Sequence, residues 1–147
     1  MREAGRLEAI WIKPAHRGPM EPARQADLKA GIGIDGNVHR GGRRQVTIIS
    51  WEAWEEVVKD LDAEVDPVTR RANLLVSGVS LAETRLQIIR IGPCRIRIQG
   101  ETRPCERMDA AHQGLRKALE KDWRGGAYGE VLDDGEIVVG DPAVWTE

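Results

Sequence analysis

The stretch Leu86-Gln87-Ile88-Ile89-Arg90-Ile91-Gly92-Pro93-Cys94-Arg95-Ile96-Arg97-Ile98-Gln99 decides the fold. Its second half alternates strictly. Cys94, Ile96 and Ile98 fall on one face and Arg95 and Arg97 on the other, the period of a strand with one dry and one wet side. Gly92-Pro93 interrupts the stretch, so it predicts two strands.

The rest of the chain repeats this pattern in shorter pieces. Leu7–Ile12 reads as a strand, broken by Pro14, Gly18-Pro19 and Pro22 into a loop or a new edge. Asp27–Arg44 reads as glycine-rich and irregular. Gln45–Ile49 and Leu74–Val76 are β-branched or aliphatic runs that predict buried strands, with Gly78 closing the second. Val131-Leu132 and Ile137–Val139 flank Asp133-Asp134-Gly135-Glu136, a hairpin signal in which Asp134-Gly135 supplies positive φ angles. Two segments have helical spacing. Ser50 is placed to cap a helix whose apolar face is Trp51, Trp54, Val58 and Leu61; a second runs from about Glu106 to Trp123 with Met108, Ala111 or His112, Leu115 and Leu119 as its stripe. Many short strands with two or more packed helices predict a mainly β, barrel-like domain.

At 147 residues the chain builds one core, so residues 1–147 are expected to form one domain. Lysine plus arginine total 22 against 24 acidic residues, a net charge of −2, which argues against nucleic acid or anionic lipid as a partner. No apolar run is long enough to cross a bilayer, and Met1–Arg6 lacks the hydrophobic segment of a signal peptide; a cytoplasmic location is expected. Two cysteines do not make a disulfide framework.

Those two cysteines differ. Cys94 shares its strand face with Ile96 and Ile98, as an inert core thiol would. Cys105 follows Pro104, precedes a helix and is flanked by Arg103 and Arg107, features that favour a thiolate and suit a soft or sulfur-loving metal. A disulfide between them and a shared zinc site are lesser alternatives, since His16, His39 and His112 form no ligand pair with either. Gly31-Ile32-Gly33-Ile34-Asp35-Gly36 has the spacing of a dinucleotide fingerprint but not the context: Arg24–Ala30 does not read as a buried strand, and Asn37–Arg44 does not open a helix.

Three basic clusters at element ends remain. They are the loop Asp35–Arg44, which holds His39 and Arg44; Arg70-Arg71-Ala72-Asn73; and Arg124-Gly125-Gly126. Arginines bind phosphate bidentately and glycines let amides converge on an anion, so the three could line one pocket; solvated surface charge is the alternative. His39 is either a donor or acid of such a pocket or an exposed loop residue, and His112 is expected to be a hydrogen-bonded core histidine.

In order and spacing these pieces resemble the MOSC family, named for the carboxy-terminal domain of molybdenum cofactor sulfurases. The resemblance runs through Ala9–Pro14, Gly33–His39 with Arg44–Thr47, Arg70–Val79, Arg103-Pro104-Cys105, Arg124–Gly126 and Gly135–Asp141. It implies a barrel-like β fold, a molybdenum cofactor (molybdopterin), and a role for Cys105 as sulfur carrier or molybdenum ligand. Basic loops would hold the pterin phosphate, the candidates being Arg44, Arg70, Arg71, Asn73, Arg103, Arg124, Gly125 and His39. The chain departs from the family at Asn37, where many members have aspartate. No pyridoxal phosphate is expected on it, nor an iron–sulfur motif. The resemblance therefore implies a cofactor-binding or sulfur-carrying module, working with a sulfurase. Its rivals are a small reductase of N-hydroxylated compounds fed by an electron-donor protein, and a structural β domain with an inert cysteine.

Overall fold

The computed structural model describes residues 5–146. Along them run β1 (Gly5–Ile12), β2 (Glu21–Ala23), β3 (Gln25–Lys29), β4 (Gly33–Ile34), β5 (Val46–Ser50), α1 (Trp51–Leu61), β6 (Leu74–Ser77), β7 (Ile88–Ile91), β8 (Cys94–Glu101), α2 (Glu106–Ala111), α3 (Leu115–Leu119), β9 (Ala127–Val131), β10 (Gly135–Val138) and β11 (Pro142–Trp145). Seven strands follow the order β11-β7-β8-β9-β5-β6-β1, and a further β11–β1 pairing closes them into a barrel. Closure removes the free edges that an open sheet would offer for aggregation. The fold is thus mainly β and barrel-like with packed helices, as the alternation in β8 predicts. Among the described residues no helix is long and apolar enough to cross a membrane.

The barrel is filled by inward-facing aliphatic side chains, among them Leu7, Ile10, Ile48, Leu74, Ile89, Ile96 and Ile98, all at most 1 % exposed. Burying each stabilises the fold by about 1.5–3 kcal/mol. A second core joins Trp54 and Val57 of α1 to Met108, Leu115 and Leu119. β5 and β6 are parallel, so the chain must cross between them, and α1 lies on that crossover. Ser50 caps α1 by accepting the amide of Ala53 at 3.3 Å. The buried face of α1 is centred on Trp54 and Val57, whereas Trp51, expected on it, is exposed.

Four further expectations are corrected. Gln25–Lys29 is a strand with Ala26 and Leu28 buried, although the segment around it reads as irregular; the dinucleotide fingerprint still fails, because no helix follows Gly36. The helix expected over Glu106–Trp123 is two short ones. Gly114 takes φ 87° between them, and the turn lets Met108 and Leu115 both face α1. His112 sits half-buried at that break, its amide closing α2 on Met108 rather than its ring filling a core.

The hairpin over residues 131–139 does not form: β10 pairs with β3, and neither Asp134 nor Gly135 has a positive φ. Both aspartates are committed elsewhere. Asp133 accepts the amide and the guanidinium of Arg95, at 2.9 to 3.0 Å, and Asp134 accepts the amide of Ala30 at 2.8 Å. These bonds carry the chain away from β9 and onto the small sheet β10-β3-β4.

Candidate functional site

Where the barrel meets the helices there is a cavity of about 280 Å³. Its wall takes Lys13 from the end of β1, Asn37, His39 and Arg44 from the loop after β4, Thr47 from β5, Arg70, Arg71 and Asn73 from the turn before β6, Thr102, Cys105, Arg107 and Met108 from the segment after β8, and Gly125. Cys105 is exposed and is the N-cap residue of α2, with extended backbone and no side-chain capping bond, so its sulfur is not consumed by the helix. Cys94, at the other end of β8, is buried.

Charge is what sets this cavity apart. Lys13, Arg44, Arg70, Arg71 and Arg107 line it, and among the described residues no aspartate or glutamate does. Nor does any of the five belong to an ion pair among those residues. The half-buried Lys13 ammonium is held below its ordinary pKa by burial and then by Arg71, Arg107 and Arg44. It lies 3.1 Å from His39 Nε2, and the His39 pKa is lowered by burial, then by Lys13, His16 and Arg44. In that contact the ammonium donates to a neutral imidazole, which leaves the proton of His39 on Nδ1.

Arg70 is 8 % exposed and is satisfied only by neutral groups. Its Nε donates to the Gly125 carbonyl at 2.9 Å, Nη2 to the Thr102 carbonyl at 3.0 Å, and Nη1 to Met108 Sδ at 3.7 Å. Burial brings its pKa down to about 10, Arg44 adding to the effect and Cys105 opposing it. Arg70 thus clamps both chain segments beside Cys105 and leaves its charge unmatched. Gly125 must be glycine here, because a Cβ would lie 2.5 Å from the Thr102 carbonyl oxygen.

The floor is neutral and rigid. Asn73 Oδ1 accepts the amide and the hydroxyl of Thr47, at 3.1 and 3.2 Å, and its Nδ2 donates to the Trp11 carbonyl and to Asn37 Oδ1. Asn37 Oδ1 also accepts the amide of Lys13 at 2.9 Å. A carboxylate at position 37 would bring a negative charge into this wall; asparagine keeps the cavity free of one.

Of the residues expected from sequence, His39, Arg44, Arg70, Arg71, Asn73, Cys105 and Gly125 come together, while Arg103 and Arg124 do not line the cavity. The Arg103 side chain is 87 % exposed, 3.9 Å from Glu101. Arg124 is buried against α1 and α3, bridging Asp60 at 2.7 Å and Glu56 at 3.4 Å, and its hydrogen bond holds the Asp60 carboxyl below the usual range. A buried arginine already matched by two carboxylates is a fold contact rather than an anion contact. Lys13, Thr102 and Arg107 were not foreseen in the wall. Only Arg107 carried a usable signal, its position on the first turn after Cys105.

No curated protein sequence matches the chain. The sequence profile of the MOSC domain matches residues 35–144. Among solved structures the chain is similar to the YUAD protein from Bacillus subtilis, with a TM-score of 0.82 and 22% identity over 97% of this chain and 96% of that one. It is also similar to YiiM from Geobacillus stearothermophilus (TM-score 0.77, 18% identity, 97% and 75% covered) and to YiiM from Escherichia coli (TM-score 0.72, 15% identity, 97% and 70% covered). At these identities the likeness is one of fold.

Proposed function

The chain belongs to the MOSC domain family, and from that premise we propose that it is a module that holds a molybdenum cofactor, or the sulfur destined for one, through Cys105. One observation carries the reading: an exposed thiol at a cavity lined, among the described residues, by five cations and no carboxylate. The donor set fits a phosphate-bearing pterin, because the guanidinium and ammonium groups suit the phosphate and a thiolate suits a soft metal. When bound, that group would supply a molybdenum centre to the cavity.

The residues divide the work. Arg44, Arg71, Arg107 and Lys13 are the candidate phosphate contacts, since their charges are unpaired and their side chains are exposed or half-buried. Arg70, with its donors spent on carbonyls, positions the Cys105 segment and contributes positive potential. Asn73 and Gly125 shape the wall. The module would receive its cargo from, or pass it to, a sulfurase or another cofactor-handling protein in the cytoplasm.

The Lys13–His39 contact favours a second reading, reduction of an N-hydroxylated compound with electrons from a partner protein. Such a reduction consumes two electrons and two protons and releases water, and the Lys13–His39 contact would let His39 give up a proton that Lys13 replaces. Elemental analysis of protein from a cofactor-making host, wild type beside Cys105→Ser, tests the first reading. Molybdenum in the wild type and none in the variant is the expected result, and equal metal in both overturns it. Turnover with a flavoprotein donor, lost in His39→Ala, is what the second reading requires.

A further inference from the structure

We propose that the Thr102 hydroxyl is a ligand contact: it donates to an oxygen of the oxyanion seated beside Arg70, whether that oxygen belongs to a phosphate or to a metal-bound oxo group. The proposal rests on reading the cavity as an anion site. It begins from a polar atom that the fold leaves without a partner.

Thr102 is 6 % exposed and lines the cavity, and its Oγ1 makes no hydrogen bond among the described residues. Its backbone is fully engaged: the amide donates to the Gly126 carbonyl at 2.8 Å, and the carbonyl accepts Arg70 Nη2 at 3.0 Å. Buried threonines elsewhere in this protein behave differently. Thr84, also 6 % exposed, donates its hydroxyl to the Leu81 carbonyl at 2.6 Å. In the same cavity wall the Thr47 hydroxyl both donates to Asn73 Oδ1 and accepts the Asn73 amide.

Leaving a buried hydroxyl unpaired destabilises a fold, and valine has nearly the same shape without that penalty. A partner absent from the empty chain explains the threonine. The surroundings define that partner's chemistry. The adjacent guanidinium is buried and unmatched, and among the described residues no carboxylate lines the cavity, so the occupant is anionic and the hydroxyl donates. Glycine at position 125 lets its backbone pack directly against the Thr102 carbonyl and the Arg70 guanidinium, which fixes both beside the cavity. The Oγ1 atom itself is enclosed, with less than 1 Å² exposed, so the contact requires χ1 to turn to another staggered well when the ligand enters.

Thr102→Val and Thr102→Ser test this, each titrated with molybdate and, separately, with inorganic phosphate, and each melted without ligand. Thr102→Val is expected to weaken binding of at least one oxyanion about tenfold, the loss of a hydrogen bond to a charged group, while the melting temperature of the empty protein rises by a few degrees. Thr102→Ser is expected to bind within about twofold of wild type, because it keeps the donor. Loss confined to molybdate assigns the seat to a metal-bound oxygen; loss confined to phosphate assigns it to the pterin phosphate. Unchanged affinity for both anions overturns the proposal, as does a wild type that binds neither. A Thr102→Val protein that melts lower when empty also overturns it, since the hydroxyl then has a structural partner such as a buried water. The cofactor reading fails separately: a wild type without molybdenum whose oxyanion binding still weakens in Thr102→Val removes the cofactor and keeps the seat.

Discussion

β8 carries a cysteine at its first residue, and the chain reaches another four residues beyond its last, and the two ends lie in opposite fields. Cys94 is buried, and burial followed by Asp133, Asp134 and Asp141 pushes its thiol pKa up. Cys105 is exposed beside a cavity whose charged side chains, among the described residues, are basic. At the Cys94 end the nearby arginine is matched: Arg95 lies 2.9 Å from Asp133. At the Cys105 end Arg70 has only carbonyls and a sulfur. Burial alone therefore does not mark a functional charge or thiol; the sign and pairing of what surrounds it do.

The largest expected effect separates the thiols directly. In the folded protein a disulfide reagent should label Cys105 at least about a thousandfold faster than Cys94, which must wait for unfolding; comparable rates would erase the contrast. Next comes Arg70→Ala, which strands two buried carbonyls and should cost about 3–4 kcal/mol in urea unfolding. It should also remove most of the stabilisation that added phosphate gives the wild type. Arg124→Ala should cost less, about 1–2 kcal/mol, because Glu56 and Asp60 are more than half exposed and return to water, and it should leave phosphate binding intact. Equal phosphate loss in both variants would break the division between matched and unmatched arginines.

A smaller effect belongs to the other end of β8. Arg95 lowers the Asp133 pKa from 3.8 to about 2. The folded state therefore binds that proton less readily than the unfolded chain, and the stabilisation is present above about pH 4 and lost as pH falls through 2. Solvent screening limits it to about 1 kcal/mol. Asp133→Asn should lower stability by that amount at pH 7 and flatten the acid limb of the unfolding profile. Smallest is His39, whose lowered pKa makes the folded state progressively less favourable as pH falls below 6.5. Lys13→Met should raise the His39 titration midpoint in NMR, and no change would leave burial, His16 and Arg44 to set it.

Local rules made the barrel staves legible. The alternation of β8, the aliphatic runs of β5 and β6 and the Ser50 cap depend on near neighbours in sequence, and the structure follows them. The failed hairpin and the missed strand are places where a distant partner overrode a local preference. Asp133 and Asp134 read as turn formers but anchor Arg95 and Ala30. β3 reads as loop because the partner that buries Ala26 and Leu28 lies more than a hundred residues away in sequence. Within the site, the arginine clusters stand out by composition, yet Arg124 and Arg70 look alike until their partners are known. Thr102 has no sequence signal, since an orphaned hydroxyl exists only relative to a packed surrounding.

The pairing of β3 with β10 sets a timetable. The loop bearing His39 and Arg44 leaves β4, whose support is β3, and β3 has no outer partner until Gly135–Val138 has been synthesised. A growing chain can therefore assemble staves from β5 to β9 while one wall of the cavity still lacks its brace. Contacts of such long sequence separation form late, so a ligand meeting the nascent chain encounters Cys105 before it encounters a finished pocket.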